Sequence, residues 1–227
     1  MRATMIVTET VTIAAEIANG EGTVQKDIEE IKRMRVIHAA WQAFAQHGYR
    51  KTSMQDIASG AGVSKSVLFK YFQTKERLYQ TAFCLAAEAI AAADAEAKAN
   101  RAEGESVFDT MRKTVDARMR LFAESPYVYS FSYTAAYDTD PLAQALVRRE
   151  LTRAGAGGGE EAAYRGIRSD IPPQKARQMI FWISQGFLGE KLAQGLADPA
   201  VLQREYAQWI DLMERLMTLN GGSEDAE

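Results

Sequence analysis

Residues 52–72, TSMQDIASGAGVSKSVLFKYF, leave the chain little conformational choice. Ser53 and Ser64 each stand where a hydroxyl can accept a bond from the orphan N–H groups of a helix's first turn. Gly62 lies between them, where a residue with positive φ can end one helix and turn the chain into the next. This punctuation predicts a helix from Met54 to Ala61, a corner at Gly62 and a second helix over Lys65–Phe72. Ile57, Ala58, Ala61, Val63, Leu68 and Tyr71 then fall where two crossing helices must bury side chains, and Ala58 is small enough for a close crossing. The spacing is that of a helix-turn-helix. A plain helical hairpin cornered by glycine fits it as well.

Charge favours the first reading. The chain carries a net charge of −3. Residues 27–75 place Lys32, Arg33, Arg35, Arg50, Lys51, Lys65, Lys70 and Lys75 against Asp27, Glu29, Glu30 and Asp56. That segment is therefore +4 and the remainder −7. A basic segment on an acidic body suits a local polyanion.

Around this unit the periodicity is helical. Ile37, Trp41 and Phe44 share one face of a helix over residues 27–47 that Gly48 stops. Thr74 caps a long helix reaching about Arg101, with Leu78, Ala82, Leu85, Ala89 and Ala93 as a narrow stripe. Phe108, Met111, Val115, Met119 and Phe122 mark the next, and Pro126 starts a new segment. Residues 127–137 alternate like a strand but lack a plausible partner, so they are expected as a helix with aromatics on two faces. Pro141, then Pro172 and Pro173, then Pro199 open three more helices. The first 22 residues fit a helix, an arm or disorder, and GAGGGEE (155–161) predicts a break. The expected fold is all-α. Its parts are an extension (1–26), a three-helix DNA-binding domain (27–74), a larger helical ligand-binding and dimerisation domain (75–220) and a polar tail (221–227).

Residues 52–79, TSMQDIASGAGVSKSVLFKYFQTKERLY, resemble the DNA-binding region of the TetR family of bacterial repressors. Thr52, Asp56, Ile57, Ala58, Ala61, Gly62, Val63, Ser64, Leu68, Tyr71, Phe72, Lys75 and Leu78 carry the resemblance, and AFAQHGY (43–49) extends it. It implies a homodimer that binds a palindromic double-stranded DNA operator and releases it when a small molecule enters the C-terminal domain. Within that frame Lys65, Ser66, Val67, Phe69 and Lys70 occupy the exposed sides of the recognition helix. Lys65 and Lys70 reach phosphate or a guanine edge. Thr52 and Ser64 suit phosphate at helix starts. Tyr71 offers a phenol to the DNA backbone and Lys75 an ammonium. Val67 stands where the family usually has a small polar residue, and Phe69 where it usually has tyrosine. Both changes remove a hydroxyl and keep apolar surface for a thymine methyl.

The C-terminal half is rich in aromatics and methionines, which fit a helical core or a ligand cavity. Phe108, Met111, Tyr127, Phe131, Tyr137 and Trp182 are the candidate lining of a site for an apolar or aromatic effector. Leu202, Tyr206, Trp209, Met213 and Leu216 recur at 4, 3, 4, 3 along the last helix. With Gly186 and Gly189 permitting close approach on the helix before, Tyr206, Trp209 and Met213 are the candidate dimer contacts.

Other classes are poorly served. The two histidines, His38 and His47, make no metal pair, and the single cysteine, Cys84, suits a reducing cytoplasm. No apolar run approaches the roughly 20 residues of a membrane span. GAGGGE lacks the Gly-Lys-Ser/Thr of a phosphate loop. No cofactor, metal or enzymatic activity is expected. A helical small-molecule binder without DNA function is the remaining alternative.

Overall fold

The capping signals of the sequence become helices in a computed structural model, which describes residues 24–153, 166–195 and 198–218. The helices are α1 (Val24–Lys51), α2 (Met54–Ala61), α3 (Lys65–Phe72), α4 (Lys75–Ala99), α5 (Val107–Glu124), α6 (Tyr127–Ala136), α7 (Pro141–Arg153), α8 (Pro173–Ala193) and α9 (Pro199–Met217). No strand occurs among the described residues, which hold one isolated bridge between Ile167 and Thr218. The first 22 residues, the glycine run at 155–161 and the tail lie outside the described residues.

Two compact units divide the chain. The first takes the chain up to Ala92 together with Leu121–Ala156. Its centre is aromatic. Phe131 of α6 is fully buried and meets Phe44 of α1 at 5.9 Å between ring centroids. Tyr79 and Phe83 of α4 stand edge-on to the same ring at 5.4 and 6.4 Å. Trp41, buried on α1, donates its indole N–H to the Ala82 carbonyl on α4 at 2.9 Å. The alternating YVYSFSY segment is helical, as expected without a partner strand. It buries Val128, Tyr129 and Phe131 and exposes Tyr127.

The buried stripe of α4 runs through Leu78, Tyr79, Ala82, Phe83, Ala86, Ala89, Ala93 and Ala97. Leu85, expected on that stripe, is half-buried beside it, and Ala86 takes the inner place. Helix α1 kinks at Gly48 (φ 68°, ψ 176°) before one further turn to Lys51. Asp138, in the turn between α6 and α7, holds the kink by accepting the Tyr49 backbone N–H at 2.8 Å.

The second unit comprises Ala93–Arg120 and the chain from Gly157 onward. Phe108, Val115, Ala176, Ile210, Met213 and Met217 form its core. Arg112 of α5 bridges Asp211 at 2.7 Å and Glu214 at 2.5 Å on α9. Arg118 pairs with Asp94 through two hydrogen bonds, at 2.7 and 2.8 Å. The inner face of α9 is Leu202, Ile210, Met213 and Met217 with Tyr206 half-buried. Trp209 and Leu216, on the stripe expected at a dimer contact, are exposed. A 4-3-4-3 pattern marks a face, but α9 is apolar on two adjacent faces and the core takes the neighbouring one.

Replacing Phe131 with alanine removes the ring on which α1 and α4 both pack. A loss of about 3–5 kcal/mol in chemical denaturation is expected, as for buried aromatics generally.

Candidate nucleic-acid interface

The interface is built from α2, the corner and α3. Ser53 and Asp56 close a capping box. The Ser53 hydroxyl accepts from the Asp56 N–H at 3.1 Å, and the Asp56 carboxylate accepts from the Ser53 N–H at 3.3 Å. The Ser53 hydroxyl also donates to the Asp56 carboxylate at 2.6 Å, and that bond, followed by the one from the Ser53 N–H, holds the Asp56 carboxyl below the usual range. At the other end Gly62 has φ 63° and ψ 37°. The Val63 N–H reaches the Ala58 carbonyl at 3.0 Å and the Gly62 N–H reaches Ser59 at 3.1 Å. This paired closure requires the left-handed residue between. The guanidinium of Arg35 lies over Gly62, where a β-carbon would strike it.

Ser64 caps α3 by accepting the Val67 N–H at 3.3 Å. That bond uses a lone pair and leaves the hydroxyl proton for a phosphate oxygen. Leu68 and Phe72 turn inward and are buried. Lys65, Ser66, Phe69 and Lys70 are exposed, and Val67 and Tyr71 are half-buried. The Lys65 ammonium stands 5.8 Å from the Phe69 ring centroid. Lys70 pairs with Glu29 of α1 at 2.9 Å. Their hydrogen bond raises the lysine pKa and lowers that of the glutamate. Both ends are solvent-exposed, and such pairs contribute little stability, so Lys70 can exchange its carboxylate for a phosphate.

Two expected contacts are used elsewhere. The Thr52 hydroxyl is buried and donates to the Gly48 carbonyl at 2.8 Å, with the Ala43 carbonyl also in range at 3.1 Å. Its proton therefore secures the end of α1 and does not face outward to phosphate. The Lys75 ammonium donates to the carbonyls of Thr52 at 2.8 Å and Arg50 at 3.4 Å, over the Tyr49 ring at 4.4 Å. Burial pushes its pKa below the usual lysine range. Lys75 thus clamps the loop before α2. Between α3 and α4, Gln73 has φ 59° and ψ −49°, and the Thr74 N–H bonds to the Phe72 carbonyl at 2.6 Å. That is a γ-turn, a strained geometry for a residue with a side chain.

The six candidate effector residues are divided between the two units. Tyr127, Phe131 and Tyr137 belong to the first unit, and Phe108, Met111 and Trp182 to the second. Phe108 and Phe131 are fully buried as core, Met111 packs on the second core, and Tyr137 and Trp182 are 58% and 60% exposed. Of the candidate dimer contacts, Met213 is buried in its own core, and Tyr206 is half-buried against Phe187 and hydrogen-bonded to Ser184. Trp209 and Gly186 are exposed, and Gly189 is half-buried.

Residues 36–82 match the family described as bacterial regulatory proteins, tetR family. Over that stretch the chain is similar to TetR-family regulators. Its similarity to the HTH-type transcriptional regulator RutR of Escherichia coli K12 is 44% identity over 48 residues, 21% of this chain and 23% of RutR. The chain thus spans less than a quarter of that relative's length. The HTH-type transcriptional repressor Rv1474c of Mycobacterium tuberculosis is 28% identical over 84% of this chain and 95% of its own. FadR from Bacillus subtilis, solved in complex with stearoyl-CoA, superposes with a TM-score of 0.57 at 16% identity, covering 84% of this chain and all of its own. That likeness shows a shared fold.

The two positive-φ positions respond oppositely to substitution. Gly62→Ala lowers stability by about 1–2 kcal/mol, the usual cost of a side chain in the left-handed region. Gln73→Gly raises it or leaves it unchanged. Thermal melts of the two variants check both.

Proposed function

We propose that the chain is a ligand-responsive transcriptional repressor. It binds a palindromic operator as a homodimer, acts in the cytoplasm and is released by a small apolar or aromatic molecule. The observation that carries this is the outer face of α3. Lys65, Ser66, Phe69 and Lys70 stand exposed on a helix whose N-cap hydroxyl keeps a free proton and whose opposite side is anchored by Leu68 and Phe72. An exposed, rigidly mounted row of donors beside apolar surface suits the major groove. No described helix is long and apolar enough to cross a membrane. The regulators among the relatives favour DNA control over enzymatic work.

Dimerisation is supported by a surface on the second unit. Met179, Phe181 and Trp182 of α8 and Trp209, Leu212 and Leu216 of α9 are exposed large apolar residues. Apolar patches of that kind mark interaction surfaces. Pairing α8 and α9 with their copies covers them in a four-helix bundle and sets two α3 helices about 34–36 Å apart, one turn of B-DNA. Binding of a small molecule is supported by the neighbour solved with stearoyl-CoA. Helix α4 starts directly after the strained Gln73 joint and ends in the second unit. A ligand that prefers the arrangement unsuited to DNA by about 1–3 kcal/mol lowers operator affinity roughly 5–150-fold.

Duplex affinity against salt tests the α3 assignment. Lys65→Ala and Lys70→Ala are each expected to reduce the log–log salt slope by about 0.9. Glu29→Gln is expected to tighten binding, because Lys70 then exchanges no partner. Slopes unchanged in both lysine variants contradict it. Sedimentation tests the dimer: the wild-type chain runs as a dimer, and Trp182→Glu combined with Trp209→Glu runs as a monomer with weakened operator binding.

A further inference from the structure

We propose that a cleft within the DNA-binding unit itself, between α1, the end of α2 and the joint of α5 with α6, is a small-molecule site for an aromatic compound bearing a carbonyl oxygen. The cleft encloses about 380 Å³, inside the range of roughly 300–1,000 Å³ typical of small-molecule sites. It lies in the first unit and shares none of its lining with the second-unit residues Phe108, Met111 and Trp182.

Two buried polar atoms on its wall lack partners. Ser125 is 4% exposed. Its backbone N–H bonds to Leu121 at 2.8 Å and its carbonyl accepts from Val128 at 3.1 Å, yet its hydroxyl has no partner. The Nε2 of His38 is likewise buried and unpartnered. Buried polar atoms are nearly always hydrogen-bonded, so two orphans on one cleft call for an occupant that bonds them. Burial pushes the His38 pKa down, so the imidazole is neutral and can offer Nε2 as donor or acceptor.

The remaining lining gives the occupant its shape. Trp41 has committed its N–H to Ala82 and presents ring surface, with His38 stacked on it at 5.1 Å and 23°. Met34, Pro126 and Tyr127 continue the apolar wall. At the rim Arg35 makes no hydrogen bond or ion pair with any described residue, and Glu124 stands on the opposite segment. The Ser125 hydroxyl and Arg35 are donors suited to a carbonyl or carboxylate oxygen. Glu124 accepts the N–H of an amide. The shared chemistry is an aromatic ring with a carbonyl oxygen, as acid or as amide.

Occupancy would bear on DNA recognition. Gly60 and Ala61 line the cleft immediately before the Gly62 corner, and Arg35 also rests on that corner. This regulatory consequence depends on the operator-binding reading above, but the binding itself does not.

Calorimetry of the full chain with naphthoate and with naphthamide tests it without DNA. Saturable binding of at least one probe at a single site is expected. Ser125→Ala should weaken whichever binds about tenfold, the effect of one lost hydrogen bond. Arg35→Gln, at an exposed position, should weaken naphthoate about tenfold and leave naphthamide within about twofold. A preference for naphthoate assigns the acid as occupant and a preference for naphthamide the amide. No saturable binding of either, or affinities that neither variant changes, overturns the proposal. Should Ser125→Ala fail to fold, Arg35→Gln decides when naphthoate binds. When naphthamide alone binds, Ser125→Gly replaces Ser125→Ala as the hydroxyl deletion.

Discussion

A single left-handed residue orients α3. Gly62 reverses the chain between α2 and α3 while the Gly62 and Val63 N–H groups close on Ser59 and Ala58. Every outward residue of α3 inherits its direction from that corner. The capping box at Ser53–Asp56 and the cap at Ser64 fix the register on either side. Because the corner is made of backbone bonds, it leaves the outer side chains free to vary, and Val67 and Phe69 use that freedom. Phe69 stands exposed and Val67 half-buried as apolar side chains of α3.

The corner is useful only if it is mounted rigidly, and the mount is aromatic. Phe131 joins α6 to Phe44 of α1 and to Tyr79 and Phe83 of α4. The Trp41–Ala82 bond adds a directional tie between α1 and α4. Three further contacts fasten the loop before α2: Thr52 to Gly48, Lys75 to Thr52, and Asp138 to Tyr49. Polar groups that look suited to phosphate therefore serve to hold the platform. On α3 the exposed charges are Lys65 and Lys70, with Lys70 held loosely by Glu29.

What could be read in the sequence was local. Ser53, Gly62 and Ser64 signal their geometry through their own conformational preferences, and both short helices appear with the expected bounds. The Ile37–Trp41–Phe44 face is buried for the same reason. Long-range pairings leave no such mark. Nothing near Tyr49 announces Asp138, which closes its N–H from 89 residues away. Thr52 and Lys75 have the composition of phosphate contacts, and only the fold shows their protons turned inward. On α9, two adjacent apolar faces made the periodicity ambiguous, so Trp209 and Leu216 lie outside while Ile210 and Met217 lie within. Aromatic composition likewise does not distinguish core from cavity, and Phe108 and Phe131 are fully buried.

The central claim is that α3 reads duplex DNA in two symmetric copies. Selection of bound sequences from a random duplex pool tests it most directly. The account predicts enrichment of an inverted repeat whose half-site centres are about one helical turn apart, with thymine in each half-site opposite Val67 and Phe69. Enrichment of no sequence, or of a single asymmetric site, would contradict it.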